Sequence, residues 1–315
     1  RTSSAAACSG VRSDEVQETI AMLPMATNRK RIGTFRGALL ARSWRACAVE
    51  AADGCPVGAA GSGTMLAMSE RDTRRGLVTG GSSGIGYAAA ARLASDGWDV
   101  AALSRRAVAP PGVEAVAGDA AEVADLERAL ALAAPDGRLD GLVCSAGVPP
   151  SGPWDDPAHW EQVLRVDLTA AWQAARLAWP ALRAAGGAIV LLGSIVGSSE
   201  GSLRSPAYAA AKAGIEGLGR SLALIGAKEG VRVNVLAPGA FDTPFDEKLF
   251  PPAARPDIPL GRMGAPVEAA GIIAFLLSDE ASYVSGSVWR VDGGRSILSP
   301  ASAAGVAAPD EHTEF

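Results

Sequence analysis

A tyrosine and a lysine that could carry out proton transfer lie four residues apart in the segment Tyr208-Ala-Ala-Ala-Lys212. Residues at this spacing share one face of a helix, so the phenol and the ammonium group would be neighbours. A tyrosine has a pKa of about 10, and lowering it to pH 7 requires about 4 kcal/mol of preferential stabilisation of the anion. A lysine cation within about 4–6 Å supplies part of that free energy. The pair alone is weak evidence, because many surface helices contain this spacing.

A serine and a proline–glycine turn follow two predicted strands and could complete a site with this pair. An apolar strand at 187–193 leads into Ser194, and another at 231–237 leads into Pro238 and Gly239. Open α/β sheets bind their ligands at the carboxyl ends of the strands. We therefore expect the serine, the turn and the tyrosine to meet in one cleft.

A glycine-rich turn that could hold a phosphate lies between the first predicted strand and the first predicted helix. Its sequence is TGGSSGIG, with the spacing TGxxxGxG rather than GxGxxG. Such a turn directs unpaired helix amides at an anion, and its glycines let a pyrophosphate approach the backbone closely. The predicted dinucleotide contacts in this turn come from Gly80, Ser82, Ser83, Gly84, Ile85 and Gly86.

The end of the second predicted strand indicates which dinucleotide the chain prefers. Ser104, Arg105 and Arg106 stand where an acidic residue would bind the ribose hydroxyls of NAD. A hydroxyl and a guanidinium suit the 2'-phosphate of NADP, and one charge-assisted contact would favour NADP about ten- to a hundredfold. We expect NADP, with NAD less suitable; two solvated arginines in a loop are the alternative. Asp119, after the third strand, would contact the adenine or form a turn.

Strands and helices alternate from Arg75 onwards. Runs of Val, Ile and Leu alternate with Ala- and Leu-rich segments of helical length, which is the βαβ pattern. Continuous apolar strands favour a parallel sheet covered by helices on both faces. The predicted strands cover 76–80, 99–103, 113–117, 139–145, 187–193, 231–237 and 287–291, and the predicted helices cover 84–96, 121–134, 157–185, 206–228 and 266–278. The predicted fold is α/β, a single doubly wound Rossmann-type domain with a seven-stranded parallel sheet flanked by helices.

Composition divides the chain into three parts. Residues 1–70 lack a sustained strand or helix period and are predicted to be a disordered N-terminal extension, with Met65 or Met68 as the natural start. A targeting peptide is the alternative, although the acidic residues in this segment oppose it. Residues 71–298 form the predicted domain, and residues 299–315 form a C-terminal tail.

Charge and cysteine usage exclude several classes of protein. The net charge of -5 gives no general field for binding phosphate backbones, so we expect no nucleic-acid partner. The apolar runs are too short for a membrane span. The 4 cysteines show no CxxC spacing and the chain has 2 histidines, so we expect no metal site. No disulfide framework is indicated, which fits a reducing compartment and leads us to expect a cytoplasmic protein.

Seven motifs occur in an order typical of one enzyme family. They are TGGSSGIG, the Ala146-Gly147 pair, Ser194, YAAAK, NVLAPG, PLGRMG and VDGG. In these motifs residues 76–298 resemble the short-chain dehydrogenase/reductase family, especially its 3-oxoacyl-carrier-protein-reductase-like branch. The motifs are highly specific for the family and much less specific for the substrate.

The resemblance implies a role for each residue of the site. Tyr208 would be the general acid/base, Ser194 would orient and polarise the carbonyl oxygen, and Lys212 would bind the nicotinamide ribose and lower the pKa of the tyrosine. Hydride would pass between NADPH and a carbonyl or secondary alcohol substrate. Further cofactor contacts would come from Ala146, Gly147, Tyr208, Lys212, Pro238 and Gly239. The alternative is a non-catalytic dinucleotide-binding regulatory protein on the same fold.

Two positions depart from the family pattern. Asp167 stands where the family has an asparagine that shapes its helix and holds a water molecule. An aspartate could serve there, but if ionised near Lys212 it would partly cancel the effect of the lysine on Tyr208. Cys144 and Ser145 replace two asparagines, and backbone contacts should persist there.

The loops after the fourth, fifth and sixth strands, at 149–154, 195–203 and 241–262, are predicted to face the substrate. The last loop would form an apolar lid that excludes water, or would pack on its own domain. Its apolar residues are Phe241, Phe245, Leu249 and Phe250. The resemblance also implies a homodimer or homotetramer, with the Ala-rich helices at 157–185 and 206–228 at the interface; packing of these helices against the sheet is the alternative.

Overall fold

The computed structural model describes residues 73–203, 205–247 and 257–298. Its strands are β1 (Arg75–Thr79), β2 (Asp99–Ser104), β3 (Glu114–Ala117), β4 (Gly141–Cys144), β5 (Ala188–Leu192), β6 (Arg232–Pro238) and β7 (Val288–Val291). Its helices are α1 (Gly84–Ser95), α2 (Val123–Ala133), α3 (Pro157–Leu164), α4 (Ala170–Ala185), α5 (Pro206–Gly226), α6 (Pro244–Glu247) and α7 (Pro266–Leu277). Short 3-10 turns cover Asp279–Ala281 and Arg295–Ile297.

The strands form one parallel sheet in the order β3-β2-β1-β4-β5-β6-β7. The prediction of a seven-stranded parallel sheet flanked by helices is confirmed. The order reverses between β1 and β4, which are paired with Thr79 opposite Cys144. In sheets of this type the crevice at the carboxyl ends of the strands, beside the reversal, is where ligands bind.

Alternate residues of the strands bury two apolar layers. Leu77, Leu142 and Ile189 face one layer, which α2, α4 and α5 cover. Their neighbours Val78 and Val143 face the other layer, which α1 and α7 cover. Burial on both faces explains why the strands are continuous apolar runs rather than alternating ones.

The helix predicted at 157–185 runs from Pro157 to Ala185, with a change of winding in its middle. Between α3 and α4 the backbone widens into a π-helical turn at Arg165–Thr169. Asp167 lies in this turn and its side chain is buried. No glycine or proline occurs within the turn, so the sequence lacks the usual signal for a distorted helix, and the prediction of a helix at 157–185 did not include the π-helical turn.

Several predictions fall outside the described residues. They concern the N-terminal extension, the lid residues Leu249 and Phe250, and the C-terminal tail. Within the described ranges, no helix combines the length and apolar character needed to cross a membrane.

Candidate active site

Tyr208 and Lys212 lie on successive turns at the beginning of α5. Pro206 opens the helix, and the Ser205 hydroxyl caps it by accepting a hydrogen bond of 3.2 Å from the Tyr208 backbone N–H. Both side chains are buried, and the Lys212 Nζ lies 5.4 Å from the centre of the tyrosine ring. The helix therefore presents the phenol and the ammonium group on one face, as the spacing predicts.

Ser194 follows β5 at the carboxyl edge of the sheet. Its Oγ accepts a hydrogen bond of 3.1 Å from the Val196 backbone N–H, and the residue is buried. The carbonyl of Leu192, at the end of the same strand, accepts a hydrogen bond of 3.1 Å from Lys212 Nζ. The strand end thus holds both the serine and the lysine beside the tyrosine.

Lys212 forms a buried ion pair with Asp167. The Nζ and Oδ1 atoms lie 3.1 Å apart, with exposed fractions of 6% for the lysine side chain and 0% for the aspartate side chain. Asp167 Oδ2 accepts a hydrogen bond of 3.0 Å from the Val148 backbone N–H. A Cβ atom at Gly147 would lie 2.8 Å from Asp167 Oδ1, so only glycine leaves room for the carboxylate.

The charges around Tyr208 hold its proton in place. Burial raises the pKa of Tyr208, the negative charges of Asp167 and Asp246 raise it further, and a hydrogen bond with Ser194 lowers it. The pKa of Asp167 is itself raised by burial and lowered by Lys212. Burial is the largest of these effects, and pairing with Asp167 reduces the stabilisation that Lys212 can offer to a phenolate.

The glycine-rich turn brings the backbone of α1 close to the end of β1. A Cβ atom at Gly86 would lie 2.5 Å from the Gly80 carbonyl oxygen, and one at Gly80 would lie 2.7 Å from the Ala146 backbone nitrogen. Ser83 precedes α1 without capping it through its side chain, so amides at the helix N-terminus keep their capacity to bind an anion. This cradle fits a dinucleotide pyrophosphate.

The end of β2 offers polar groups for the adenosine half of a dinucleotide. Ser104 is buried, and its Oγ has no hydrogen-bond partner among the described residues. Arg106 Nη2 donates a hydrogen bond of 3.1 Å to Ser82 Oγ, and Arg105 lies exposed at the rim. Asp119 Oδ1 accepts a hydrogen bond of 2.9 Å from the Ala121 backbone N–H, which is the turn-forming alternative.

A cleft of about 910 Å³ joins these groups. Its wall contains every residue predicted for the site except Gly86, which packs on Gly80 instead. The predicted residues in the wall are Gly80, Ser82, Ser83, Gly84, Ile85, Ser104, Arg105, Asp119, Ala146, Gly147, Asp167, Ser194, Tyr208, Lys212, Pro238 and Gly239. The structure therefore brings together residues from almost the whole length of the sheet edge.

The loop after β6 contributes residues that sequence reasoning did not assign. Asp246 accepts hydrogen bonds from the Phe241 backbone N–H at 3.2 Å and from Thr243 Oγ1 at 3.1 Å. Burial raises the pKa of Asp246 to about 6. Phe241 packs in the core of its own domain, whereas Phe245 lines the cleft with its ring centre 6.3 Å from that of Tyr208. Of the predicted lid residues that the structure describes, Phe241 therefore belongs to the core and Phe245 to the wall of the cleft.

A model of the family described as "Enoyl-(Acyl carrier protein) reductase" matches residues 80–296, which include the turn, the serine, the tyrosine and the lysine. The chain belongs to the short-chain dehydrogenase/reductase family. The resemblance drawn from the motifs is confirmed.

Relatives and a solved structure agree on this family. The 3-oxoacyl-[acyl-carrier-protein] reductase MabA of Mycobacterium tuberculosis is 39% identical over 230 residues, which are 70% of this chain and 92% of that protein. The cis-4-hydroxycyclohexanecarboxylate dehydrogenase of Sinomonas cyclohexanicum is 40% identical over 241 residues, covering 70% and 96%. The ligand-free aldohexose dehydrogenase of Thermoplasma acidophilum superposes with a TM-score of 0.68 and 28% identity, covering 72% of this chain and 96% of that one.

These relatives are named as reductases and dehydrogenases, and this short-chain dehydrogenase/reductase is an NAD(P)-dependent oxidoreductase that acts on CH–OH groups. Among the described residues, no group of three or more His, Cys, Asp or Glu side chains could hold a metal ion.

Proposed function

We propose that the protein transfers hydride between NADP(H) and a carbonyl or secondary alcohol substrate, with Tyr208 as the general acid/base. One observation carries this proposal: Tyr208, Ser194 and Lys212 line the same cleft as a glycine-rich turn that fits a pyrophosphate. When bound, the dinucleotide supplies the hydride chemistry. The chain itself has to orient the substrate and move one proton.

Ser194 and Tyr208 would share the substrate oxygen. In the direction of reduction, the tyrosine O–H donates its proton to the oxygen while the serine hydroxyl holds it in position. In the direction of oxidation, the tyrosine takes that proton back. Positioned proton transfer of this kind contributes about 10²–10⁴-fold to the rate.

Asp167 would tune this proton transfer through Lys212. A lysine cation stabilises a phenolate, and a carboxylate paired with that lysine reduces the effect. The buried pair at 3.1 Å supports this role. Because burial and this carboxylate both raise the pKa of Tyr208, the resting tyrosine carries the proton that carbonyl reduction requires.

The choice of NADP is supported by the end of β2. The unpartnered Ser104 Oγ and the guanidinium groups of Arg105 and Arg106 are donors of the kind that a 2'-phosphate accepts. We found no carboxylate at the end of β2, where one would favour the ribose hydroxyls of NAD; Asp99 lies at the other end of this strand.

The substrate would be a small molecule, and the assembly a cytoplasmic homodimer or homotetramer. The relatives' names include a 3-oxoacyl reductase and a dehydrogenase of a hydroxycyclohexane ring, both of which concern a carbonyl or a secondary alcohol. Exposed apolar side chains on α4 and α5, Trp172, Leu224 and Ile225, support contact with a second subunit through these helices.

The proposal is tested by NADPH consumption across a panel of ketones, aldehydes and oxoacyl thioesters. We expect the native protein to reduce at least one of them, and Tyr208→Phe to reduce it at least about 10²-fold more slowly. NADPH binding, measured by quenching of protein fluorescence, serves as the control and should be retained in the variant. Equal rates for both proteins would refute the role of Tyr208, and binding without turnover would favour the regulatory alternative.

A further inference from the structure

An ion pair lies in the wall of the cleft, on loops that come from distant parts of the sequence. Arg295 Nε lies 3.0 Å from Glu200 Oε1, and Arg295 Nη2 lies 3.3 Å from Glu200 Oε2. The exposed fractions are 24% for the arginine side chain and 28% for the glutamate side chain. Reduction of a carbonyl group by hydride does not itself require either charge. We therefore expect this ion pair to have a function other than hydride transfer.

Glu200 is held on a tight loop that begins at Ser194. The Ile195 carbonyl accepts hydrogen bonds from the backbone N–H groups of Ser199, at 2.8 Å, and Glu200, at 2.9 Å. The Gly197 N–H donates a hydrogen bond of 2.7 Å to the Glu200 carbonyl. These contacts fix the backbone of Glu200 close to the serine that we assign to the substrate oxygen.

Arg295 is held equally firmly, in the 3-10 turn after β7. The Asp292 carboxylate accepts hydrogen bonds from the backbone N–H groups of Gly294, at 3.0 Å, and Ser296, at 2.8 Å. A Cβ atom at Gly239 would lie 2.7 Å from Asp292 Cβ, so this turn packs directly on the turn that follows β6. The base of the arginine is thus fixed beside Pro238 and Gly239, in the same wall of the cleft.

The other cations that line the cleft within the described ranges are Arg105, Arg106, Arg165 and Lys212. Arg105 and Arg106 follow β2 at the adenosine end, and Arg165 pairs with Glu122 near the end of β3. Lys212 pairs with Asp167. Of the residues that the structure describes, Arg295 is therefore the one cation besides Lys212 in the wall at the substrate end; Arg204 lies outside that part of the chain.

We propose that Arg295 recognises a carboxylate on the substrate, and that Glu200 holds the guanidinium in place until the substrate carboxylate replaces it. The substrate class would then be oxoacids, or the corresponding hydroxyacids. This inference rests on the hydride transfer proposed above. A guanidinium fork matches the two oxygens of a carboxylate, and here the Nε–Nη2 edge is already engaged in that way.

Exchange of the Glu200 carboxylate for a substrate carboxylate would not leave the Arg295 charge without an anionic partner. The guanidinium keeps a carboxylate partner throughout, and the Glu200 side chain is exposed enough to turn towards water when displaced. A neutral substrate leaves the original pair intact and gains no charged contact. The pair would therefore discriminate between an acid and its ester while leaving the reacting carbonyl group unaffected.

Opposite effects of two variants test this inference. The probes are oxoacids of increasing chain length, each compared with its methyl ester, and the measured quantity is the ratio of kcat/KM for acid over ester. We expect Arg295→Gln to lower this ratio about tenfold or more, because a charge-assisted contact is lost. We expect Glu200→Gln to raise it up to about fivefold, because the competing carboxylate is gone. Arg92→Gln is the matched control, since this exposed arginine on α1 also forms a two-bond pair with a carboxylate, that of Asp96, and does not line the cleft.

If the pair only fastened the two loops together, both variants would lower kcat/KM for acid and ester alike, and this result would overturn the inference. A binding measurement distinguishes failure of this inference from failure of the proposed hydride transfer. Isothermal titration of the NADP+-saturated protein with hexanoate and with hexanamide should show preference for the acid, which is lost in Arg295→Gln. This preference without turnover would refute the proposed hydride transfer alone, whereas turnover without any preference in either assay would refute the role of Arg295 alone.

Discussion

The Nζ atom of Lys212 lies 3.1 Å from Oδ1 of Asp167, in a pair that is almost completely buried. The resemblance drawn from the motifs implies a neutral amide at this position, where the chain has a carboxylate. Replacement of an amide by a carboxylate changes the charge next to Tyr208 without changing the size of the side chain. The pKa of the tyrosine therefore depends on a residue that does not belong to its own helix.

Asp167→Asn should shift the pH dependence of alcohol oxidation to lower pH. Removal of the carboxylate leaves the lysine charge free to stabilise the phenolate, so the pKa of Tyr208 falls. The measurement is kcat/KM for oxidation as a function of pH, with the melting temperature as the check on folding. An unchanged profile in a folded variant would exclude this tuning role.

Arg105→Ala should weaken the preference for NADP over NAD about ten- to a hundredfold, because a charge-assisted contact to the 2'-phosphate is lost. Affinity for NAD should change little. Both dissociation constants can be measured by fluorescence titration. Arg138→Ala is a suitable control, since this exposed arginine does not line the cleft. Identical NADP affinities before and after the Arg105 substitution would reject the assignment.

Gly86→Ala should destabilise the protein and weaken dinucleotide binding. The added Cβ would lie 2.5 Å from the Gly80 carbonyl oxygen, which is backbone and can move only if the turn moves. Gly217→Ala is the matched control, because a Cβ there meets nothing within 4 Å and the residue lies inside α5. That control should be stabilising by about 0.5–1 kcal/mol. Opposite shifts in the urea midpoint are the expected result, and two shifts of the same sign would contradict it.

Asp246→Asn should remove a pH-dependent contribution to stability. Burial raises the pKa of this carboxyl from 3.8 to about 6, so the native state binds its proton more tightly than the unfolded chain does. The resulting stabilisation is fully present below pH 3.8 and is lost as the pH rises through about 6. We expect the difference in free energy of unfolding between native protein and variant to fall by roughly 1–3 kcal/mol over this interval. A difference that stays constant would show that Asp246 does not titrate there.

Local patterns were sufficient to predict the sheet and most of the cleft. The apolar runs at β1, β4 and β5 are buried on both faces, so their composition alone indicates a parallel sheet. The turn at Gly80 and the helical spacing of Tyr208 and Lys212 are likewise properties of short segments. Because parallel strands bring their carboxyl ends to one edge, the grouping of these segments followed from the fold class.

Features that depend on distant contacts could not be predicted in this way. The π-helical turn at Arg165–Thr169 has no marker in its own composition, and it matters because it brings Asp167 to Lys212. The pairing of Glu200 with Arg295 joins segments 95 residues apart. Neither residue belongs to a motif. The pair depends on the packing of the turn after β7 on the turn after β6, which the sequence does not indicate.

The strand order reverses between β1 and β4. The two parts of the cleft on either side of this point come from different parts of the chain. The groups that we propose for the adenosine half lie on the N-terminal side of this division, from Gly80 to Asp119, and those that we propose around the reacting carbon lie on the C-terminal side, from Ser194 to Arg295. A hybrid chain that joins the N-terminal half of this protein to the C-terminal half of a relative would therefore inherit its nucleotide preference from one parent and its substrate preference from the other.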